Sequence, residues 1–123
     1  DIHVVIDFID VSSYHGGTES TGTILIKKDV GMDIAGRDVI IVEDIVDTGR
    51  TLKALIENLL ERKVASVTCA SLLDKPEARI VDVEPDYIGL ICPKAFVVGF
   101  GLDYEERYRN TPYVGVLKEE IYS

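Results

Sequence analysis

Two adjacent acids, Glu43 and Asp44, close the apolar run Val39-Ile-Ile-Val42, and Asp47-Thr-Gly-Arg-Thr51 follows after two further apolar residues. Each residue type in that stretch suits a phosphorylated sugar. Gly49 can adopt backbone angles that other residues resist and lets an anion approach the main chain, while Thr48 and Thr51 add hydroxyl donors beside the amides. Carboxylates such as Glu43 and Asp44 can accept from sugar hydroxyls or help hold a hydrated Mg²⁺. Asp47 is a third acid, set within the loop itself. It has a structural reading too, because aspartate is a preferred helix N-cap.

These groups need a strand before them and a helix after them. Val39 to Val42 is a β-branched run of the kind expected in a strand buried on both faces of a parallel sheet. Leu52, Leu55, Ile56, Leu59 and Leu60 recur at helical spacing, which predicts a helix from the loop to about Arg62. Asp47 to Thr51 would then lie beyond the carboxyl end of a strand, where the next helix presents unpaired N–H groups and the positive end of its dipole.

Further elements follow along the chain. Asp1 to Asp10 reads as a strand, Val11 to Thr23 as a polar, glycine-rich loop, and Thr23 to Lys28 as another strand. Ser66 to Leu73 predicts the next parallel strand, with Asp74-Lys-Pro-Glu77 as the polar loop at its carboxyl end. Lys75 is thereby in position to meet a ligand, although a solvated surface lysine has the same pattern. Ala95 to Phe100 predicts a strand and Gly101 to Tyr104 its turn.

The 123 residues, 46% of them hydrophobic, suffice for one domain with a real core. A formal charge of −9 argues against a nucleic-acid surface, which calls for a basic stripe. Phosphate binding through amides and Mg²⁺ is compatible with that acidity. Cys69 and Cys92 each sit in apolar surroundings without a Cys-x-x-Cys pairing or a histidine cluster, which argues for reduced, buried thiols in a cytoplasmic protein; a disulfide between them stays open. No apolar stretch reaches membrane-spanning length.

Glu43-Asp-Ile-Val-Asp-Thr-Gly-Arg-Thr51 resembles the phosphoribosyl diphosphate signature of the type I phosphoribosyltransferases, in the version found in the hypoxanthine-guanine branch. Val11-Ser-Ser-Tyr14, Leu73-Asp-Lys-Pro76 and Phe96-Val-Val-Gly-Phe-Gly-Leu-Asp-Tyr104 also match, in the family's order. Aspartate at position 47 favours the 6-oxopurine branch over relatives acting on adenine or orotate. The resemblance implies an α/β fold of the type I phosphoribosyltransferase kind: a parallel sheet flanked by helices, with a small partial C-terminal hood. Residues 1–123 would form a single domain, N-terminally incomplete because the family's first core strand and its pyrophosphate-holding Lys-Gly loop have no match here. Residues 86–123 would contribute the base-binding hood and the tail.

Roles follow from the same resemblance. Glu43, Asp44, Thr48, Gly49, Arg50 and Thr51 bind the phosphoribosyl group. Asp47 interacts with the proton on purine N7, and Lys75 donates to the 6-oxo group. Phe96 stacks on the purine while the Val97 backbone reads the base edge. Asp103 joins Glu43 and Asp44 as a metal-site residue for Mg²⁺, Arg109 contacts pyrophosphate, and Ser13 and Tyr14 belong to a lid that closes over the reacting centre. By default Phe96 would be a core aromatic, and Asp103 and Arg109 a surface pair.

The activity implied is purine salvage, in which phosphoribosyl diphosphate reacts with hypoxanthine or guanine to give IMP or GMP and pyrophosphate, in a homodimer or homotetramer. Two other classes are weighed against it. A nucleotide-binding regulator that acts on RNA conflicts with the acidic balance, and a receiver-type domain built on Glu43-Asp44 leaves the Thr-Gly-x-Thr turn unexplained.

Overall fold

The computed structural model describes residues 1–13 and 24–122, with the side chain of Ser13 left out; residues 11–13, expected in the loop, belong to a strand, and Tyr14 with the rest of the expected lid lies outside the described residues. Three strands make the central sheet: β3 (Asp38–Val46), β4 (Ser66–Asp74) and β5 (Tyr87–Ile91), all parallel and in the order β3-β4-β5. Before them β1 (Asp10–Ser13) and β2 (Ile24–Lys28) form an antiparallel ribbon. After them come β6 (Val97–Val98) and β7 (Gly115–Val116), a short antiparallel pair, and a final turn of helix α2 (Glu119–Tyr122).

Parallel neighbours need a crossover, and α1 (Arg50–Glu61) supplies it between β3 and β4. Its Leu52, Leu55 and Leu59 are buried against Ile34, Ile41, Val46 and Cys69, and Ile9, Val11 and Ile24 of the ribbon side pack around that cluster. Burying each leucine contributes about 1.5–3 kcal/mol. The helix ends where the Arg62 and Lys63 amides donate back to Leu59 O and Leu60 O, and Arg62 then reaches Asp29 through two bonds of 2.7 and 2.8 Å. Asp86 ties the start of β5 to β4: its amide donates to Cys69 O and its carboxylate accepts from Cys69 N. A second cluster, Leu73, Cys92 and Val97 with Ile45, Leu102 and Val114, joins the sheet to the C-terminal segment.

Four expectations are corrected. Residues 1–9 form no strand: among the described residues pairing begins at Asp10, and Ile2, Val4, Val5, Ile6 and Phe8 before it are exposed, so no packing offsets the cost of ordering them in a sheet. β3 is buried on one face only. Ile41 lies under α1, whereas Ile40 and Val42, pointing the other way, are 67% and 81% exposed. Leu72, Tyr87 and Ile91 extend this open apolar face across the sheet.

The strand expected over Ala95 to Phe100 shrinks to Val97–Val98, since Gly99 (φ 102°) and Phe100 (φ 51°) leave the extended region. Finally, the stretch beginning at Asp86 does not open in the hood: β5 pairs in parallel with β4 in the central sheet. The antiparallel β6–β7 pair and the turns around it lie beyond that sheet. Cys69 and Cys92 are both free and buried, which closes the disulfide alternative.

Candidate active site

Where β3 runs out, the chain turns through Asp47-Thr-Gly49 into α1 and lines a cavity of about 220 Å³ with Glu43, Ile45, Asp47, Thr48, Gly49 and Thr51. That volume falls below the roughly 300–1,000 Å³ of pockets that engulf a whole drug-sized ligand, so it suits one part of a ligand, such as a phosphate and its sugar. Gly49 is the helix N-cap, in the left-handed region at φ 87°. The capping role considered for Asp47 therefore falls to the glycine, leaving the Asp47 carboxylate to face elsewhere. Thr48 Oγ1 accepts from Arg50 N at 3.4 Å. Arg50 starts the helix but does not line the cavity.

Gly49 is also required by space. A Cβ there would come within 2.6 Å of Val83 Cγ1 and 2.8 Å of Arg79 Cδ. The loop is thus pressed against the segment that follows β4, and the same segment brings Lys75 to Asp47. Lys75 is only 8% exposed, its amide donates to Val46 O at 2.9 Å, and its Nζ lies 3.5 Å from Asp47 Oδ2. Two residues singled out on separate motifs are neighbours in space.

Glu43 lines the cavity, and burial, with the charge of Asp44 behind it, pushes its carboxyl above the ordinary glutamate value. Asp44, the next residue on the strand, belongs by alternation to the opposite face and is exposed; its Oδ1 accepts from Ile45 N. Behind the site, burial and then the charges of Glu43, Asp86 and Asp74 push the Cys69 thiol up to about 11, so it stays protonated and unreactive.

A second group of expected residues forms its own cluster. Asp103 accepts from Glu106 N at 2.8 Å and pairs with Arg109 at 3.3 Å, while Arg109 also donates to Gly101 O at 2.7 Å. Phe96 has its ring stacked near Tyr122 at 5.4 Å and edge-on to Tyr104 at 5.5 Å. Val97, beside it, is buried and pairs with Val116. The turn carrying Asp103 holds Glu105, Glu106 and Tyr108 at positive φ.

Among the described residues no group of three or more His, Cys, Asp or Glu side chains is arranged to hold a metal ion. The donors present fit a different mode, in which one or two carboxylates touch a Mg²⁺ whose remaining ligands are water and substrate phosphates. Glu43 lines the cavity and would suit that mode, whereas the Asp103 carboxylate is engaged on its own turn by Glu106 N and Arg109.

Sequence reasoning missed Arg79. Its Nη1 donates to Asp47 O at 2.7 Å, and its Nη2 bonds the buried Asp74 carboxylate and reaches Glu84 at 3.3 Å. The signal available was a single arginine four residues after Lys75, and nothing in its spacing distinguishes it from a surface charge.

Residues 2–105 match the phosphoribosyl transferase domain family. The chain belongs to the phosphoribosyltransferase family. A hypoxanthine-guanine phosphoribosyltransferase of Streptococcus pneumoniae is 61% identical over 123 residues, covering all of this chain and 68% of the relative. Its counterpart in Streptococcus agalactiae is 62% identical with the same coverage. A crystal structure of a hypoxanthine phosphoribosyltransferase from Staphylococcus aureus superposes with a TM-score of 0.92 at 58% identity, over 100% of this chain and 67% of that one. The phosphoribosyltransferase fold expected from the four motifs is thus the fold observed, and the chain spans about two thirds of the length of these relatives.

Proposed function

We propose that this phosphoribosyltransferase chain serves purine salvage, transferring the 5-phosphoribosyl group from phosphoribosyl diphosphate to hypoxanthine or guanine and giving IMP or GMP with release of pyrophosphate. The observation that carries the reading is the approach of Lys75 to Asp47 at the rim of the phosphate-sized cavity. The ammonium offers donors only, which suits a 6-oxo group and not a 6-amino group. The carboxylate can take or share the proton on purine N7 as the ring nitrogen attacks ribose C1.

Other residues have supporting parts. The amides and hydroxyls of Thr48, Gly49 and Thr51 hold the 5-phosphate, and Glu43, which lines the cavity, accepts from the ribose hydroxyls; Asp44, on the other face of β3, would have to turn toward the sugar to share that task. Arg109 and Asp103 meet the pyrophosphate end, Phe96 stacks on the base, the Val97 backbone reads the base edge, and Ser13 and Tyr14 exclude water. Mg²⁺, when bound beside Glu43, Asp44 or Asp103, supplies charge neutralisation of the pyrophosphate leaving group. The charge that develops on the ribosyl ring makes orientation and exclusion of water the main tasks of the protein. Free, buried cysteines support a reducing, cytoplasmic setting. We also propose assembly as a homodimer or homotetramer, which light scattering would measure.

The test is pyrophosphate release from phosphoribosyl diphosphate and Mg²⁺ with hypoxanthine, guanine, xanthine or adenine. Turnover with the 6-oxopurines and none with adenine is the expected result. Turnover with adenine at an equal rate would overturn the role given to Lys75, and none with any base would overturn the activity.

A further inference from the structure

Three consecutive carbonyls of the phosphate loop are bonded by the segment that follows β4. Val46 O accepts from Lys75 N at 2.9 Å, Asp47 O from Arg79 Nη1 at 2.7 Å and Thr48 O from Ile80 N at 3.1 Å. No cis peptide bond occurs among the described residues, and in a planar trans peptide the N–H points opposite to the preceding carbonyl. Turning those carbonyls toward the β4 side therefore turns the N–H groups of Asp47, Thr48 and Gly49 the other way. These are the donors an anion at the loop would use.

Two of the three bonds come from backbone amides, which almost any sequence supplies. The middle one needs a side chain long enough to cross from the β4 segment and carrying two separate donors. Arg79 meets both demands: one terminal nitrogen reaches Asp47 O while the other is held by Asp74, itself fully buried at the end of β4. Its side chain is 8% exposed, and its Nε has no hydrogen-bond partner among the described residues. A buried guanidinium free to choose its place would satisfy every donor. This one is fixed by its two ends. Its stem also fills the space beside Gly49, where a Cβ would meet Cδ at 2.8 Å.

We infer that Arg79 is a positioning residue: through the Asp47 carbonyl it sets the Asp47–Thr48 peptide so that the loop amides face the phosphate, and it locks that loop to the segment carrying Lys75. The inference rests on the phosphoribosyl-transfer reading for its consequence in catalysis, though not for its consequence in loop order. Because the contact is to a carbonyl and not to substrate, loss of Arg79 acts on binding of the phosphorylated sugar and leaves the chemical step of the filled site largely intact.

Arg79→Lys keeps the positive charge beside Asp74 and Glu84 but gives up the second nitrogen. Amide hydrogen exchange over residues 46–50 is compared in ligand-free protein, with KM for phosphoribosyl diphosphate and kcat measured alongside. The expected result is exchange and KM each raised about tenfold, the factor carried by one hydrogen bond from a charged donor, with kcat changed much less. Arg62→Lys, which weakens the distant pair with Asp29, should move neither. Should Arg79→Lys fold poorly, the double variant Arg79→Met, Asp74→Asn removes both buried charges together and still lacks the bond to Asp47 O. Loop exchange equal to wild type in either folded variant overturns the inference. Failure of the wild type to release pyrophosphate would overturn the proposed activity instead, and the exchange comparison would still decide the role of Arg79.

Discussion

Lys75 Nζ lies 3.5 Å from Asp47 Oδ2, and of the two side chains the lysine is the buried one. The pair links the end of β4 to the end of β3 across the sheet, so the two groups proposed to meet the base's exocyclic oxygen and its ring proton are held at one edge of the site. Under the proposed function a base entering there would replace part of this ion pair with its own hydrogen bonds. Lys75→Met should raise KM for hypoxanthine by about 10–100-fold, since a donor to a buried oxygen contributes on the order of 1.5–3 kcal/mol. Initial rates at varied base concentration measure it, and an unchanged KM would remove Lys75 from base recognition.

Asp47→Asn keeps the shape of the side chain and removes its basicity. Turnover is expected to fall by about 10²–10⁴-fold, the usual contribution of a positioned general base, with IMP affinity changed little. Calorimetric titration with IMP alongside single-turnover rates separates the two. A large loss of IMP affinity with turnover of the bound complex unchanged would defeat the assignment.

Gly49→Ala meets two obstacles, a left-handed φ of 87° and the side chains of Val83 and Arg79 inside contact distance. Destabilisation by more than about 1 kcal/mol is expected, because alanine resists positive φ and a packed neighbour must also move. Urea midpoints give the stability change. Equal midpoints with lost IMP binding would mean that the loop had shifted and the core had not.

Much of this site was legible in order along the chain, and its depth was not. The β3–loop–α1 unit follows from a β-branched run, a glycine and leucines at helical spacing, all local signals. Lys75 could be placed at a strand end for the same reason. Its distance to Asp47 could not, because that depends on the register of β4 against β3, where Val46 pairs with Asp74. Arg79 was invisible since its partners, Asp47 O and Asp74, are brought to it only by folding. The burial of β3 was misjudged because a β-branched run looks the same whether one face is covered or two, and Ile40 and Val42 turned out to face outward.

The Arg62–Asp29 pair gives a prediction in pH. Hydrogen bonds from Arg62 hold the Asp29 carboxyl below the ordinary aspartate value, assisted by the Val30 amide. A depressed native pKa contributes stability that is present above the unfolded-state value and is lost as pH falls through the native one. Wild type should therefore melt above Asp29→Asn at neutral pH, by less than about 1 kcal/mol because the pair is partly solvated, and the gap should close steadily in acid. Thermal melts of both proteins across that range check the sign. A gap that widened in acid would mean another group dominates.

The turn bearing Asp103 and Arg109 has Glu105, Glu106 and Tyr108 in left-handed geometry, with Phe100 just before it, and none of the four is glycine. Each such residue costs on the order of 1–2 kcal/mol against its relaxed conformation. Glycine at any of them would ease the backbone, yet it would also multiply the shapes open to the unfolded chain and to the turn itself. The segment thus gives up stability to keep one shape, a rigid frame in which the Asp103 carboxylate and the Arg109 guanidinium are held against each other and Glu106.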